Sequence, residues 1–169
     1  MSEEKVSLLL HDVSSGNTLL NFVRTALAYK DYIELLVISR ASGGAAQYGL
    51  AEASKMLYKE DVKLLVLPDI FDVTELFPQK KLVVFSRRHG SPFKSLGDIR
   101  LEDRSVILCF SGSETGFSKN ELIESSVVVY PHGIRKELAP EAYLSIIMHL
   151  IATSKSDTTN GTRHSAKLD

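Results

Sequence analysis

Six short apolar runs recur along the chain, at residues 6–10, 33–38, 62–67, 82–85, 106–110 and 127–130. None alternates with polar residues, the pattern of strands covered on both faces. The stretches between them, 18–29, 44–58, 73–77, 119–124 and 140–152, are amphipathic and read as helices. Strands alternating with helices predict an α/β domain, a mainly parallel sheet with helices on both faces. Asn17, after Gly16, is placed to cap the first helix, and Pro140-Glu141 suits the first turn of the last one. In that last helix Leu144, Ile147, Met148 and Ile151 form a single stripe that must pack against something. From 153 to 169 the residues turn to Ser, Thr, Asn, Gly and Lys, so a single domain over 1–152 with a disordered tail is expected.

Composition narrows this picture. A chain of 169 residues that is 44% hydrophobic can bury one substantial core. A net charge of -1 excludes a polybasic coat, so any nucleic-acid contact has to be a local patch. The interval 86–104 lacks periodicity and is the basic candidate, with Arg87, Arg88, Lys94, Arg100 and Arg104 against Asp98, Glu102 and Asp103. The single cysteine, Cys109, lies within an apolar run and reads as a small buried hydrophobe. No apolar stretch of about 18 residues is present, so no membrane span is expected. The acidic Ser2-Glu3-Glu4-Lys5 opening argues against a signal peptide. A cytoplasmic protein is the expectation.

In an open parallel sheet, ligands bind beyond the carboxyl ends of the strands. Three such segments carry chemistry: His11-Asp12-Val13-Ser14-Ser15-Gly16-Asn17, Ser111-Gly112-Ser113-Glu114-Thr115-Gly116-Phe117-Ser118, and Pro131-His132-Gly133-Ile134-Arg135-Lys136-Glu137-Leu138. Glycines on both sides of Glu114 permit close ligand approach, and its carboxylate accepts hydrogen bonds. The plainer reading is a strand-to-helix turn with Ser118 as cap and Glu114 solvated.

These residues resemble the SPOUT (alpha/beta-knot) methyltransferases, SpoU-like branch. Gly112-Ser113-Glu114-Thr115-Gly116 matches that family's Gly-x-Glu-x-Gly loop after a buried strand. Val127 through Gly133 is similar to its proline turn, 139–151 to its closing helix, and Asn17 with Arg24-Thr25-Ala26 to its first helix. The resemblance implies a C-terminal trefoil knot and an S-adenosylmethionine pocket made by loops 86–90, 111–116 and 130–138. Ser86, Gly112, Glu114, Gly116, Tyr130, Pro131, His132, Gly133 and Leu138 would line it. It further implies an RNA substrate (tRNA or rRNA) held by Asn17, Arg24, Arg87 and Arg88, methylation of a ribose 2'-hydroxyl with Arg24 and Glu114 as catalytic residues, and a homodimer formed through the first and last helices. The chain departs from the pattern in two places. The family's Ser-Leu-Asn is Glu137-Leu138-Ala139 here, and Asn17 lies seven residues before Arg24 rather than six. The first departure leaves open a protein that binds cofactor or RNA without methyl transfer.

Other candidates are Asp12, Asp61 with Lys63, and Asp69 for a metal-dependent nuclease, which needs carboxylates converging on a divalent ion. His11, His89 and His132 each follow an apolar run, but their spacing is irregular and no metal site is expected. Phe93 and Tyr130 are candidates for stacking on a base. Ser42-Gly43-Gly44 lacks the lysine of a phosphate-binding loop and reads as a flexible turn.

Overall fold

The computed structural model describes residues 5–99, 101, 105–123 and 127–160; Arg100, Glu102, Asp103 and Arg104 of the basic interval lie outside them. In chain order the elements are β1 (Val6–Val13), α1 (Gly16–Ala28), β2 (Ile33–Ala41), α2 (Leu50–Lys59), β3 (Lys63–Leu67), α3 (Ile70–Leu76), β4 (Lys81–Phe85), β5 (Ser91–Phe93), β6 (Val106–Ser111), α4 (Lys119–Ile123), β7 (Val127–Pro131) and α5 (Pro140–Asn160). The sheet runs β3-β2-β1-β6-β4-β7-β5, and every pairing is parallel. The α/β class, with helices on both faces of a parallel sheet, is as expected.

Two cores arise from the two-residue period of the strands. Leu8 and Leu10 of β1, Leu108 and Phe110 of β6, and Val83 and Phe85 of β4 face one side, under α1, α2 and α5. Leu9, Ile107, Cys109, Leu82 and Val84 face the other, under α3 and Phe117. Aromatic contacts knit the first side: Phe110 stacks on Phe85 with centroids 4.9 Å apart and meets Phe22 of α1 edge-on at 5.4 Å. Cys109 is fully buried, which raises its thiol far above the ordinary range.

Several boundaries differ from the sequence reading. Ser15, not Asn17, caps α1: its side chain accepts from the Thr18 amide, and Asn17 lies exposed inside the helix. Helix α3 starts three residues early because Asp69 and Asp72 form a reciprocal capping box. The stretch 44–58 is divided into a π-helical turn, Ala45–Gly49, and α2. Helix α5 continues to Asn160, through the first part of the tail expected to be disordered. Thr153 and Ser154 satisfy their hydroxyls on the carbonyls of His149 and Ile151 within the helix, and adding turns to an existing helix costs little. Residues 161–169 lie outside the described residues.

The stripe Leu144, Ile147, Met148 and Ile151 is buried within this one chain, against the first core. A homodimer resting on that stripe is therefore not available, and two copies would have to pair through other surfaces. Phe93 is 3% exposed and meets Phe85 edge-on, so it is a core residue rather than a stacking platform. Among the described residues no helix is long and apolar enough to cross a membrane.

One connection has no counterpart in the sequence pattern. Strand β5 lies in the interval that lacks periodicity, and β4 and β5 are parallel although only residues 86–90 join them. Parallel neighbours normally need a crossover of a dozen residues or more. Here Phe85 and Ser91 both pair with Val129, from opposite sides of β7. The chain does not turn back. It steps across β7 and continues in the same direction.

Candidate functional site

That step brings three loops together at the carboxyl ends of β4, β6 and β7. The cleft they form is lined by Phe85, Ser86, Ser111, Ser113, Gly116, Phe117, Glu137, Leu138 and Tyr143. A continuation of it adds Arg88, His89, Glu114 and Thr115 at the mouth. The loop after β6 keeps its shape through its own side chains. Ser111 Oγ accepts from the Ser113 amide, Ser113 Oγ from the Thr115 amide, and Gly116 turns with φ +72°. Gly112 lies so close to β1 that a Cβ would come within 2.7 Å of Val13 Cβ. A side chain at Gly116 would meet nothing within 4 Å.

Arginines clasp the loops. Arg88 donates from its guanidinium to Thr115 O at 2.9 Å, and Arg87 Nε donates to Ile134 O at 3.1 Å. The Arg87 guanidinium also lies 5.7 Å from the Tyr130 ring centroid. The sequence reading has both facing RNA; both are exposed, yet each spends donors on holding one loop to another. Glu137 completes the clasp. Its Oε1 accepts from the Arg87 amide at 3.0 Å and from the Tyr143 hydroxyl, and its Oε2 accepts from the Arg88 amide at 3.1 Å. Burial, and then the neighbouring Glu137 carboxylate, push the Tyr143 phenol well above its ordinary range.

A second polar group sits at the carboxyl ends of β1, β2 and β3 on the opposite face. Buried His11 joins Ser39 Oγ through Nδ1 at 2.8 Å and Glu121 Oε1 through Nε2 at 3.0 Å. Arg40, held at φ +50°, donates to Glu121 Oε1 at 2.7 Å and to Asp69 Oδ2 at 2.8 Å. Glu121 Oε2 accepts from the Ser118 amide, and Phe117 stacks on His11 at 5.9 Å. Burial alone would raise the Glu121 carboxyl; hydrogen bonds from His11, the Ser118 amide and Arg40 outweigh it and hold the group below 4.5. Asp69 is likewise held below 3.8, burial being outweighed by Arg40 and the Ile70 amide. Since Phe117 lines the cleft, this network fixes one of its walls. The rule that singles out His11, its place at the carboxyl end of an apolar run, applies equally to Ser39 and Arg40 at the end of the second run.

Of the residues expected in the cofactor pocket, Ser86, Glu114, Gly116 and Leu138 line the cleft, and Gly112 supports it from β1. Tyr130, Pro131, His132 and Gly133 do not. The His132 amide bonds Phe93 O, and its side chain borders a separate depression with Lys94, Pro131 and Leu150. His11, His89 and His132 thus lie in three different settings. Arg24 is exposed on α1 and donates to Asn21 Oδ1 at 3.2 Å; neither it nor Asn17 lines the cleft. The carboxylates considered for a nuclease do not converge: Asp61 precedes β3 and Asp69 comes after it, at opposite ends of the strand, and Asp69 is paired with Arg40. Among the described residues no group of three His, Cys, Asp or Glu side chains is arranged to hold a metal ion.

Residues 43–150 match the family profile described as RecB-family nuclease (DUF2122). A protein of Aeropyrum pernix named as a type II restriction enzyme, ApeKORF2002P, is 27% identical over 149 residues, 88% of this chain and 94% of that protein. The fold is that of the SpoU methyltransferases. The structure of AviRb from Streptomyces viridochromogenes in complex with AdoMet aligns with a TM-score of 0.72 at 14% identity, covering 93% of this chain and 63% of that one. The chain therefore spans somewhat under two thirds of AviRb. The TrmH/SpoU tRNA modifying enzyme of A. aeolicus aligns with a TM-score of 0.65 at 12% identity, over 98% of this chain and 82% of that one.

Proposed function

The chain belongs to the RecB-family nuclease (DUF2122) family, and from its cleft we propose that it binds S-adenosylmethionine and methylates RNA, a ribose 2'-hydroxyl being the acceptor. The observation that carries this reading is the convergence of the loops after β4, β6 and β7 on one cleft. The void between the cleft's side chains is about 20 Å³, so the three loops must part to admit the cofactor, and the groups that line it match the cofactor's chemistry. Leu138 offers apolar surface to a purine, Ser86, Ser111 and Ser113 offer hydroxyls, and Glu137 and Glu114 offer acceptors for ribose hydroxyls or an ammonium group, while buried Phe85 and Phe117 back the cleft from the core. When bound, S-adenosylmethionine supplies a methyl group activated by its sulfonium. The chain's part is positioning, which can contribute several kcal/mol to such a transfer, roughly 7–11 at the limit. In this reading Glu114 stands at the mouth, where substrate would enter. Exposed Arg24 and Lys94 supply the phosphate contacts, since Arg87 and Arg88 are partly committed to the clasp. The step across β7 also supports the knotted C-terminus that the resemblance implies.

Nucleic-acid cleavage is the second reading, favoured by the family's description and by the name of the relative from Aeropyrum pernix. Hydrolysis of that kind calls for carboxylates gathered around a divalent ion, and Asp12, Asp61 and Asp69 do not provide it. One pair of assays separates the two. Purified protein incubated with cellular RNA and methyl-labelled S-adenosylmethionine is expected to transfer label to RNA, and with Mg²⁺ or Mn²⁺ to leave RNA and DNA uncut. Divalent-dependent cleavage that disappears in Asp61→Ala, with no label transferred, would reverse the assignment.

A further inference from the structure

We propose that Glu137 is the specificity determinant of the cleft: its carboxylate fills the place an anion would take, so the cleft accepts ligands presenting hydroxyl or ammonium donors and rejects those presenting phosphate. The inference rests on the adenosyl-binding reading above and names the ligand class that reading admits.

Two consecutive amides, of Arg87 and Arg88, point at one place in the cleft, the Arg87 amide being shared with the Tyr143 hydroxyl oxygen at 3.2 Å, and the Tyr143 hydroxyl donates there as well. Three convergent donors are a ready anion cradle, because hydrogen bonds to an ionised acceptor are about twice as strong as neutral ones. A free phosphate or the phosphate of a nucleotide would suit it. Instead the chain supplies its own carboxylate from the loop after β7, and Glu137 takes all three bonds. The donors holding it are uncharged. The Arg87 and Arg88 guanidiniums are turned to the carbonyls of Ile134 and Thr115, and among the described residues Glu137 forms no ion pair. The negative charge is thus left facing the cleft beside Ser86, Ser111 and Ser113. A carboxylate offers about four lone-pair positions, so at least one remains for a ligand's donor. An incoming phosphate meets a like charge with its cradle already taken. The ribose hydroxyls of an adenosyl group, or the ammonium of S-adenosylmethionine, meet an acceptor. This residue is where the chain departs from the Ser-Leu-Asn pattern, so the selectivity belongs to this sequence rather than to its fold.

The test is calorimetric titration of the full chain, wild type, Glu137→Ser and Glu137→Gln, with adenosine, AMP, S-adenosylmethionine and inorganic phosphate, folding being checked by thermal melts. Wild type is expected to favour adenosine over AMP by tenfold or more and to give no heat with phosphate. Glu137→Ser, which vacates the cradle, is expected to gain phosphate binding and to raise the AMP-to-adenosine affinity ratio at least tenfold. Glu137→Gln keeps the size without the charge and should raise that ratio too; it decides the matter if the serine variant does not fold. Phosphate binding by wild type, or no gain of phosphate binding and an unchanged ratio in the folded variants, would overturn the proposal. If wild type binds neither adenosine nor S-adenosylmethionine but Glu137→Ser gains phosphate, the adenosyl reading fails while the blocking role of Glu137 stands.

Discussion

Replacing Gly90 with alanine is expected to destabilise the protein by about 2–4 kcal/mol, among the larger effects of any single methyl group. The residue closes the five-residue step between β4 and β5, and its backbone lies against β7. A Cβ there would be 2.4 Å from Ser86 O, 2.9 Å from Val129 N and 3.0 Å from the Val128 carbonyl carbon. All three are backbone atoms of the loop and of the strand it crosses, and no rotamer change relieves the contact. Either the loop lifts off β7, losing the bond from the Ser86 amide to Val129 O, or the pairing of β5 with β7 gives way. For a chain of this size the melting temperature should fall by roughly 5–15 °C. Gly97 is the matched control, since a Cβ there meets only Ser95 Oγ at 3.6 Å. Melts of Gly90→Ala and Gly97→Ala side by side check the claim, and equal melting temperatures would show that the loop does not press on β7.

The second large effect is expected at Glu121. Its carboxylate is the shared acceptor of His11, the Arg40 guanidinium and the Ser118 amide. Truncation to alanine leaves Nε2 of buried His11 without its partner, only the Ser39 bond remaining, and frees the loop that carries Phe117. Removing one member of a buried pair costs about 3–5 kcal/mol; with Arg40 40% exposed and able to hydrate, about 3 kcal/mol is expected here. The same network sets an acid limit. Glu121 and Asp69 are held below their ordinary values of 4.5 and 3.8, so the folded state binds fewer protons than the unfolded chain as pH falls through that range. Their stabilisation is complete above about pH 5–6 and is lost progressively below pH 4.5 as both become protonated. Denaturation midpoints measured from pH 7 to pH 3 should fall in wild type and fall less steeply in Glu121→Ala. Parallel curves would remove Glu121 from the network that sets the acid limit.

Much of the fold is legible from hydrophobic periodicity, because a strand covered on both faces cannot hide its apolar run. All six runs are strands, and all five amphipathic stretches contain helix. Strand β5 gives no such signal, because its three residues, Ser-Pro-Phe, contain a proline and only one buried side chain. The start of α1 is ambiguous in the sequence because Ser15 and Asn17 are both competent caps and only the backbone decides between them. The length of α5 is hidden because composition is silent on how far an established helix propagates. In the site, glycine and carboxylate spacing locate the loop around Glu114. What spacing does not convey is direction: Arg87 and Arg88 look like a basic patch in the sequence, but the convergence of three loops supplies carbonyl oxygens that claim their guanidiniums. Glu137 stands out in the sequence only as a departure from a pattern. Its role becomes visible once two backbone amides and a tyrosine hydroxyl, from residues at least six positions away, are seen to meet on it.

Titration of S-adenosylmethionine into wild-type protein tests most directly whether the loops after β4, β6 and β7 form an adenosyl-binding cleft. Heat consistent with micromolar affinity, about -8 kcal/mol, is expected, and it should be abolished in Gly112→Val, whose side chain drives the loop from β1. An absence of heat with folded wild-type protein, together with no rise in melting temperature at millimolar cofactor, would contradict the account.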